Sequence, residues 1–298
     1  MTAGGTASPP TEAMRRGVGR GVFVATVVAV AIIALAAGIY VGKTALGSSS
    51  SSSSNYLVVG TNVPFPPFES FNNTTGTYVG FDMNFSQLIA NALHRTLVVD
   101  NYANFEVLLE DVGVGVVDMA ASSITESGSV GVQRNGTMAF SEPYYDANQA
   151  ILVASGSSFT CPSVAAGGCT AKDLANLSLG VQSGTSSQSW LSQYLDGTPS
   201  NESKGVVDPF TTVDLEVDAV LLGSLQAVMI DLGPATSIAA NSGGALKVAG
   251  EVLTNELYGF AVAHGDPEHI LPVINSVISS AMQNGTYAYL VKEWFGSA

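Results

Sequence analysis

Arginine is scarce in this chain, and the scarcity makes each position informative. Beyond residue 43 there are two, Arg95 and Arg134. A guanidinium matches a carboxylate with two parallel hydrogen bonds, so a lone arginine in an acidic body is a candidate anion receptor. Asp231 is the candidate for the opposite charge. It follows the apolar run AVMI and precedes Leu232-Gly233-Pro234. A carboxylate at the end of a buried strand points into the crevice of an open α/β sheet, although the same residue can also cap the helix that follows. Gly184 and Thr185 follow LSLGV and open a helix, where backbone N–H groups and a hydroxyl hold anions or simply cap. Such groups suit binding better than catalysis. His94, His264 and His269 lie apart from them, and neither a nucleophile elbow nor a metal-ligand cluster is visible. No enzyme activity, metal or cofactor is expected.

The elements that position these residues alternate. Tyr56–Gly60 reads as a buried strand, and Pro64, Pro66 and Pro67 then force a loop. Asp82 is placed to cap a helix whose apolar positions Phe85, Leu88, Ile89 and Ala92 recur at helical spacing. Leu97–Val99 is strand-like, and Phe105, Leu108, Leu109 and Val112 mark a helix ended by Gly113 and Gly115. Val116–Ala121 returns to strand. Later, Leu177–Val181, Ala227–Ile230 and Tyr258–Ala263 read as strands. Thr185–Leu195, Val213–Leu222, Ile270–Gln283 and Tyr287–Trp294 read as helices. This order predicts an α/β fold with mostly parallel sheets.

Composition excludes other classes. The 298 residues carry only 10 basic side chains against 24 acidic ones. Three of the basic residues precede residue 21, so no basic patch exists to neutralise phosphates, and nucleic acid is not a partner. Gly21–Val41 has no charge and follows Arg15, Arg16 and Arg20. As a helix it spans about 31 Å, the thickness of a bilayer core. The expectation is a cytoplasmic segment 1–20, a single-pass anchor over 21–42 and an exterior body; the alternative is a cleaved signal peptide. Residues 43–55, rich in serine, form a tether with a reach of roughly 15–18 Å. Outside the membrane, Cys161 and Cys169 should pair as a local loop clip. Sequons at Asn72, Asn73, Asn84, Asn135, Asn176, Asn201 and Asn284 are candidate glycosylation sites. The body from residue 56 onward has six basic and 23 acidic residues, a net charge of −17. Such a surface suits an acidic medium, where protonation relieves self-repulsion.

Seven blocks, LVVGTNVPFPPFESF, YVGFDMNF, ITES…QRNGTMAFSEPYYD, LGVQSGT, AVMID, YGFAVAHGDPE and NGTYAYLVKEWFG, occur in an order that resembles the amino-acid-binding extracellular solute-binding proteins of ABC importers, a group of type 2 periplasmic binding proteins. The resemblance covers residues 56–298. It implies two α/β lobes, residues 56–154 with 253–298 and residues 155–252, joined by crossovers near Gln149–Val153 and Leu253–Ala261. The ligand would sit between lobes that close by a hinge. Partners would be an amino-acid ligand and an ABC permease in the membrane, with the chain a monomer.

The resemblance also assigns residues. Arg134, followed after five residues by Phe140-Ser141-Glu142-Pro143-Tyr144, would hold the ligand carboxylate together with Gly184 and Thr185. Six extra residues separate Ile124-Thr125 from Arg134, which puts its placement to the test. Asp231 would hold the ammonium. Ser122, Ser123 and Thr125 would offer backbone and hydroxyl contacts. Phe65 would stack on the ligand and Phe105 line its side-chain pocket. Asn62 stands where binders of basic amino acids commonly have Asp, which favours a neutral amino acid. The alternatives are a cyclohexadienyl dehydratase-like enzyme on the same fold and a ligand-sensing ectodomain.

Overall fold

The structure, a computed structural model, describes residues 54–196 and 206–296. The expected anchor over 21–42, most of the tether and the sequon at Asn201 lie outside these residues. No helix among the described residues is long and apolar enough to cross a membrane.

The chain begins with β1 (Tyr56–Thr61), a short hairpin of β2 (Ser70–Asn72) and β3 (Thr77–Val79), and helix α1 (Phe81–Ala92). Strand β4 (Thr96–Asn101), helix α2 (Phe105–Val114), strand β5 (Met119–Ala120), helix α3 (Gly128–Arg134) and strand β6 (Met138–Phe140) follow. The chain then enters a second sheet. It runs through β7 (Tyr145–Ala154), α4 (Ala171–Leu174), β8 (Ser178–Gln182), α5 (Ser186–Leu191) and β9 (Val206–Phe210). It continues through α6 (Val213–Leu221), β10 (Ala227–Asp231), α7 (Leu232–Asn241) and β11 (Leu246–Tyr258). It returns through β12 (Ala261–Ala263) to end in α8 (Leu271–Asn284) and α9 (Thr286–Phe295).

The two sheets have strand orders β4-β1-β5-β12-β6 and β11-β7-β10-β8-β9. Each is the centre of one lobe. The sheets are mixed, not mostly parallel: β4, β1 and β5 run parallel, as do β10, β8 and β9. The antiparallel members β7, β11 and β12 adjoin the two passages between lobes, where the chain must reverse relative to its neighbours. Those passages lie between Phe140 and Tyr145 and between Tyr258 and Ala261, because β7 is paired with β11 from Tyr145 onward. The expected strand Tyr258–Ala263 is interrupted there by Gly259-Phe260, which are paired in neither sheet's ladder.

Period-two alternation explains the packing. In β7, Ala150 and Leu152 face one core while Ile151 and Val153 face another. In β10, Val228 and Ile230 join the first set and Ala227 and Met229 the second. A strand buried on both faces reads as a continuous apolar run, and AVMI does. Its next residue, Asp231, falls at the strand's C-terminal end with the parity of Ala227 and Met229. The disulfide Cys161–Cys169 forms as expected. Both ends of its loop dock on β11, through Cys161 N–H to Ala249 O at 3.0 Å and Cys169 N–H to Glu251 O at 2.6 Å.

Candidate functional site

The C-terminal ends of β1, β5, β8 and β10 converge on one cleft between the sheets, the place where open α/β sheets bind ligands. In this closed arrangement the lobes leave a cavity of only about 20 Å³ between them. Lobe one contributes Asn62, Phe65 and Glu69 after β1, Phe105 at the start of α2, Ser122, Ser123 and Thr125 after β5, and Arg134 at the end of α3. Lobe two contributes Gln182 from the end of β8, Thr185 and Ser186 at the start of α5, and Asp231. Nine of the ten residues singled out in the sequence thus line one cleft. The tenth, Gly184, lies beside it and presents its carbonyl to Arg134.

The segment before Arg134 does not push that residue away. It coils into α3, whose last residue is Arg134. The guanidinium donates from Nη1 to Thr125 O at 2.9 Å and from Nη2 to Gly184 O at 2.9 Å. It also lies over the Phe105 ring, 5.7 Å from its centroid. Of five N–H donors, two are spent on carbonyls, so a fork remains for an anion. Burial lowers its pKa to about 10, while Glu256 and Asp231 work in the opposite direction.

Asp231 sits at the N-cap position of α7, but its side chain makes no capping bond. Its Oδ1 accepts from the Tyr258 hydroxyl and from Gln149 Nε2, the latter at 2.9 Å. Burial and the nearby Glu256 raise its pKa to about 7, against the pull of those two hydrogen bonds. Glu256 itself accepts from Thr125 Oγ1 at 2.7 Å. Thr185 caps α5: its Oγ1 accepts from Gln188 N–H at 3.2 Å and donates to Gln182 O at 2.6 Å. Its hydroxyl is therefore committed, and any anion contact at this helix start falls to the first-turn N–H groups.

Asp82 is a correction. The N-cap of α1 is Gly80, and the Asp82 carboxylate does not cap. It accepts from Ser123 N–H at 2.9 Å and from the Tyr144 hydroxyl at 2.8 Å. Burial lifts Asp82 to about 7. The bond holds Ser123 in the left-handed region, φ 50°, which a serine adopts at a cost and which turns this segment into the cleft.

Three lining residues escaped the sequence reading. Gln182 and Ser186 flank Gly184-Thr185, so the motif that marked its neighbours also marked them. Glu69 follows Pro67-Phe68 and gives no signal of its own. The lobes are closed over the cleft: Gln182 Nε2 donates to Asn62 Oδ1 at 2.8 Å, and the hydroxyls of Thr125 and Ser186 lie within hydrogen-bond distance at 3.2 Å. None of the three histidines lines the cleft. No cluster of His, Cys, Asp or Glu among the described residues is arranged to hold a metal.

Comparison with known proteins agrees with this architecture. The L-cystine-binding protein TcyJ of Escherichia coli K12 is 27% identical over 241 residues, covering 81% of this chain and 83% of that protein. A mutant of ArgBP from T. maritima superposes with a TM-score of 0.70 at 30% identity, covering 82% of this chain and 96% of that structure. The ancestral amino acid-binding protein AncCDT-1, a precursor of cyclohexadienyl dehydratase, superposes at 0.66 with 25% identity, covering 81% and 95%. Residues 57–297 match bacterial extracellular solute-binding proteins, family 3, and the chain belongs to that family.

Proposed function

We propose that the chain captures a free amino acid between its lobes outside the membrane and delivers it to an ABC permease. One observation carries this: Arg134 of lobe one and Asp231 of lobe two face the same cleft. A free amino acid bears a carboxylate and an ammonium on one carbon. Each must be matched, because an unpaired buried charge is costly. Arg134 supplies the fork for the carboxylate, with the first turn of α5 beside it, and Asp231 the countercharge for the ammonium. Ser122, Ser123 and Thr125 orient the backbone, and Phe65 and Phe105 bound the side chain. Because the two charges are held by different lobes, ligand favours the closed state over the open one, which is how a binding protein signals occupancy.

The same reading makes the protein a monomer held at the membrane by residues 21–42, with residues 43–55 as tether. Cleavage after the apolar run would release it instead. Of the sequons, Asn73, Asn135, Asn176 and Asn284 are exposed. Asn84 is not available, since its Oδ1 accepts from Trp294 Nε1 at 2.6 Å.

Calorimetry of the full chain in detergent against the twenty amino acids tests the function. Saturable binding by a few of them is expected. Binding by none, or turnover of a prephenate-like substrate, would replace this reading with another.

A further inference from the structure

Three carboxylates meet at this cleft and one guanidinium. Asp231 and Glu69 line it, and Glu256 touches it through Thr125. A zwitterion with a neutral side chain engages Arg134 and Asp231 and adds no net charge. Glu69 is then left over. Its side chain is fully buried, Oε1 accepts from Ser122 Oγ at 3.0 Å, and Oε2 has no hydrogen-bond partner. Carboxylate oxygens buried without a donor are rare and call for a reason.

The surroundings point to what supplies the donor. Ser122 Oγ, which donates to Glu69, accepts from Asn62 N–H at 3.0 Å, so Glu69 stands one hydroxyl away from the residue that bridges the lobes through Gln182. Phe65 N–H donates to Glu69 O at 2.8 Å, so one turn presents an aromatic ring and a carboxylate to the same cavity. A cleft lined by both an aromatic ring and a carboxylate favours a cation, through the ring quadrupole and through charge-assisted hydrogen bonds.

We propose that Glu69 is the specificity-determining residue of this cleft and selects an amino acid whose side chain carries a second positive charge, an ammonium or guanidinium. This rests on the amino-acid-binding reading given above. It reverses the preference for a neutral ligand that Asn62 alone suggests: the countercharge missing at Asn62 is supplied from the next turn of the chain.

Without a cation, Glu69 takes up a proton. Burial and the field of Asp82, which reaches it from α1, push it well above the usual carboxylate range; Asp231 from β10 adds to this, while the hydrogen bond from Ser122 opposes it. Binding of a cationic side chain therefore expels that proton.

The test compares arginine with citrulline, its uncharged near-isostere, and lysine with glutamine, by calorimetry of the full chain at pH 7.5. Running each titration in phosphate and in Tris gives the protons released. Arginine should bind at least about 50-fold more tightly than citrulline, because the neutral ligand forgoes the charge-assisted hydrogen bond that a cation makes to Glu69. More protons should leave with arginine than with citrulline. Glu69→Gln should cut the arginine-to-citrulline ratio below about fivefold while citrulline still binds. Wild-type protein that holds citrulline or glutamine within fivefold of arginine overturns the assignment and leaves the amino-acid reading standing. An unchanged ratio in Glu69→Gln also overturns it. Should that variant not fold, the wild-type ratio and the difference in proton release decide alone. Binding of none of the twenty amino acids removes the reading beneath the proposal as well.

Discussion

Arg134 of lobe one donates from Nη2 to the carbonyl of Gly184 in lobe two at 2.9 Å. The residue best suited to hold a ligand carboxylate is therefore also a latch between the lobes. On the proposed amino-acid-binding reading, closure and charge neutralisation are joined in one side chain, and the anion site is complete only in the closed state.

Arg134→Ala should weaken amino-acid binding by more than about 100-fold, since it leaves a buried carboxylate without its partner. Arg134→Lys keeps the charge but loses the planar fork and should still weaken binding by more than about tenfold. Calorimetry of the two variants against the best ligand checks both. A lysine variant that binds like wild type would show that charge alone suffices.

Gly184 offers a separate handle on closure. Its φ is 78°, and an added Cβ would lie 2.5 Å from Glu106 Cγ on the opposite lobe. Gly184→Ala should therefore hold the lobes apart. Affinity should fall by about tenfold or more, and small-angle scattering should show a larger radius of gyration in saturating ligand. Glu106→Ala in the same chain should recover part of the loss, because it removes the clash and leaves the backbone strain.

The fate of individual residues shows what the sequence made legible. Asp231 was readable because AVMI is a run that only a doubly buried strand explains, and the residue ending such a strand faces the cleft. Arg134 was readable from its rarity, but not its helix: Gly128 and Gly131 lower helical propensity, and α3 forms through tertiary packing in which Gly131 lies against the Glu126 carbonyl. Asp82 looked like a cap from its place at a helix start. The pull of Ser123 and Tyr144, 41 and 62 residues away, decided otherwise. Glu256 lies inside the long strand β11, next to a break in its register with β7, and no local pattern reports where such a side chain turns.

The disulfide is docked on β11, the edge strand of the second sheet, through Cys161 and Cys169. It closes a short loop, so its removal should cost about 2–3 kcal/mol of stability on the chain-entropy estimate. Cys161→Ser with Cys169→Ser should unfold at a lower denaturant midpoint and keep ligand affinity within about twofold. A large loss of affinity would tie the loop to the cleft.

The buried carboxyls give the protein an acid-favoured stability. Asp82 and Asp231 rise to about 7 in the fold, both through burial first, and burial likewise lifts Glu69 and Glu216. Glu216 is fully buried in α6, and neither of its oxygens has a hydrogen-bond partner. Between pH 4 and 7 the native state thus binds more protons than the unfolded chain. Stability then falls as pH rises through that window, and the contribution of these groups is complete only below the ordinary carboxylate range. The melting temperature of the ligand-free chain should be several degrees higher at pH 5 than at pH 8, and Asp231→Asn should flatten that slope. Ligand should flatten it too, because its ammonium replaces the proton at Asp231. The net charge of −17 over residues 56–298 acts in the same direction, since acid relieves surface repulsion. The two causes separate with salt: screening removes the surface part and leaves the buried part. A melting temperature that peaks near pH 8 and falls by pH 5 would mean these carboxyls are charged in the native state.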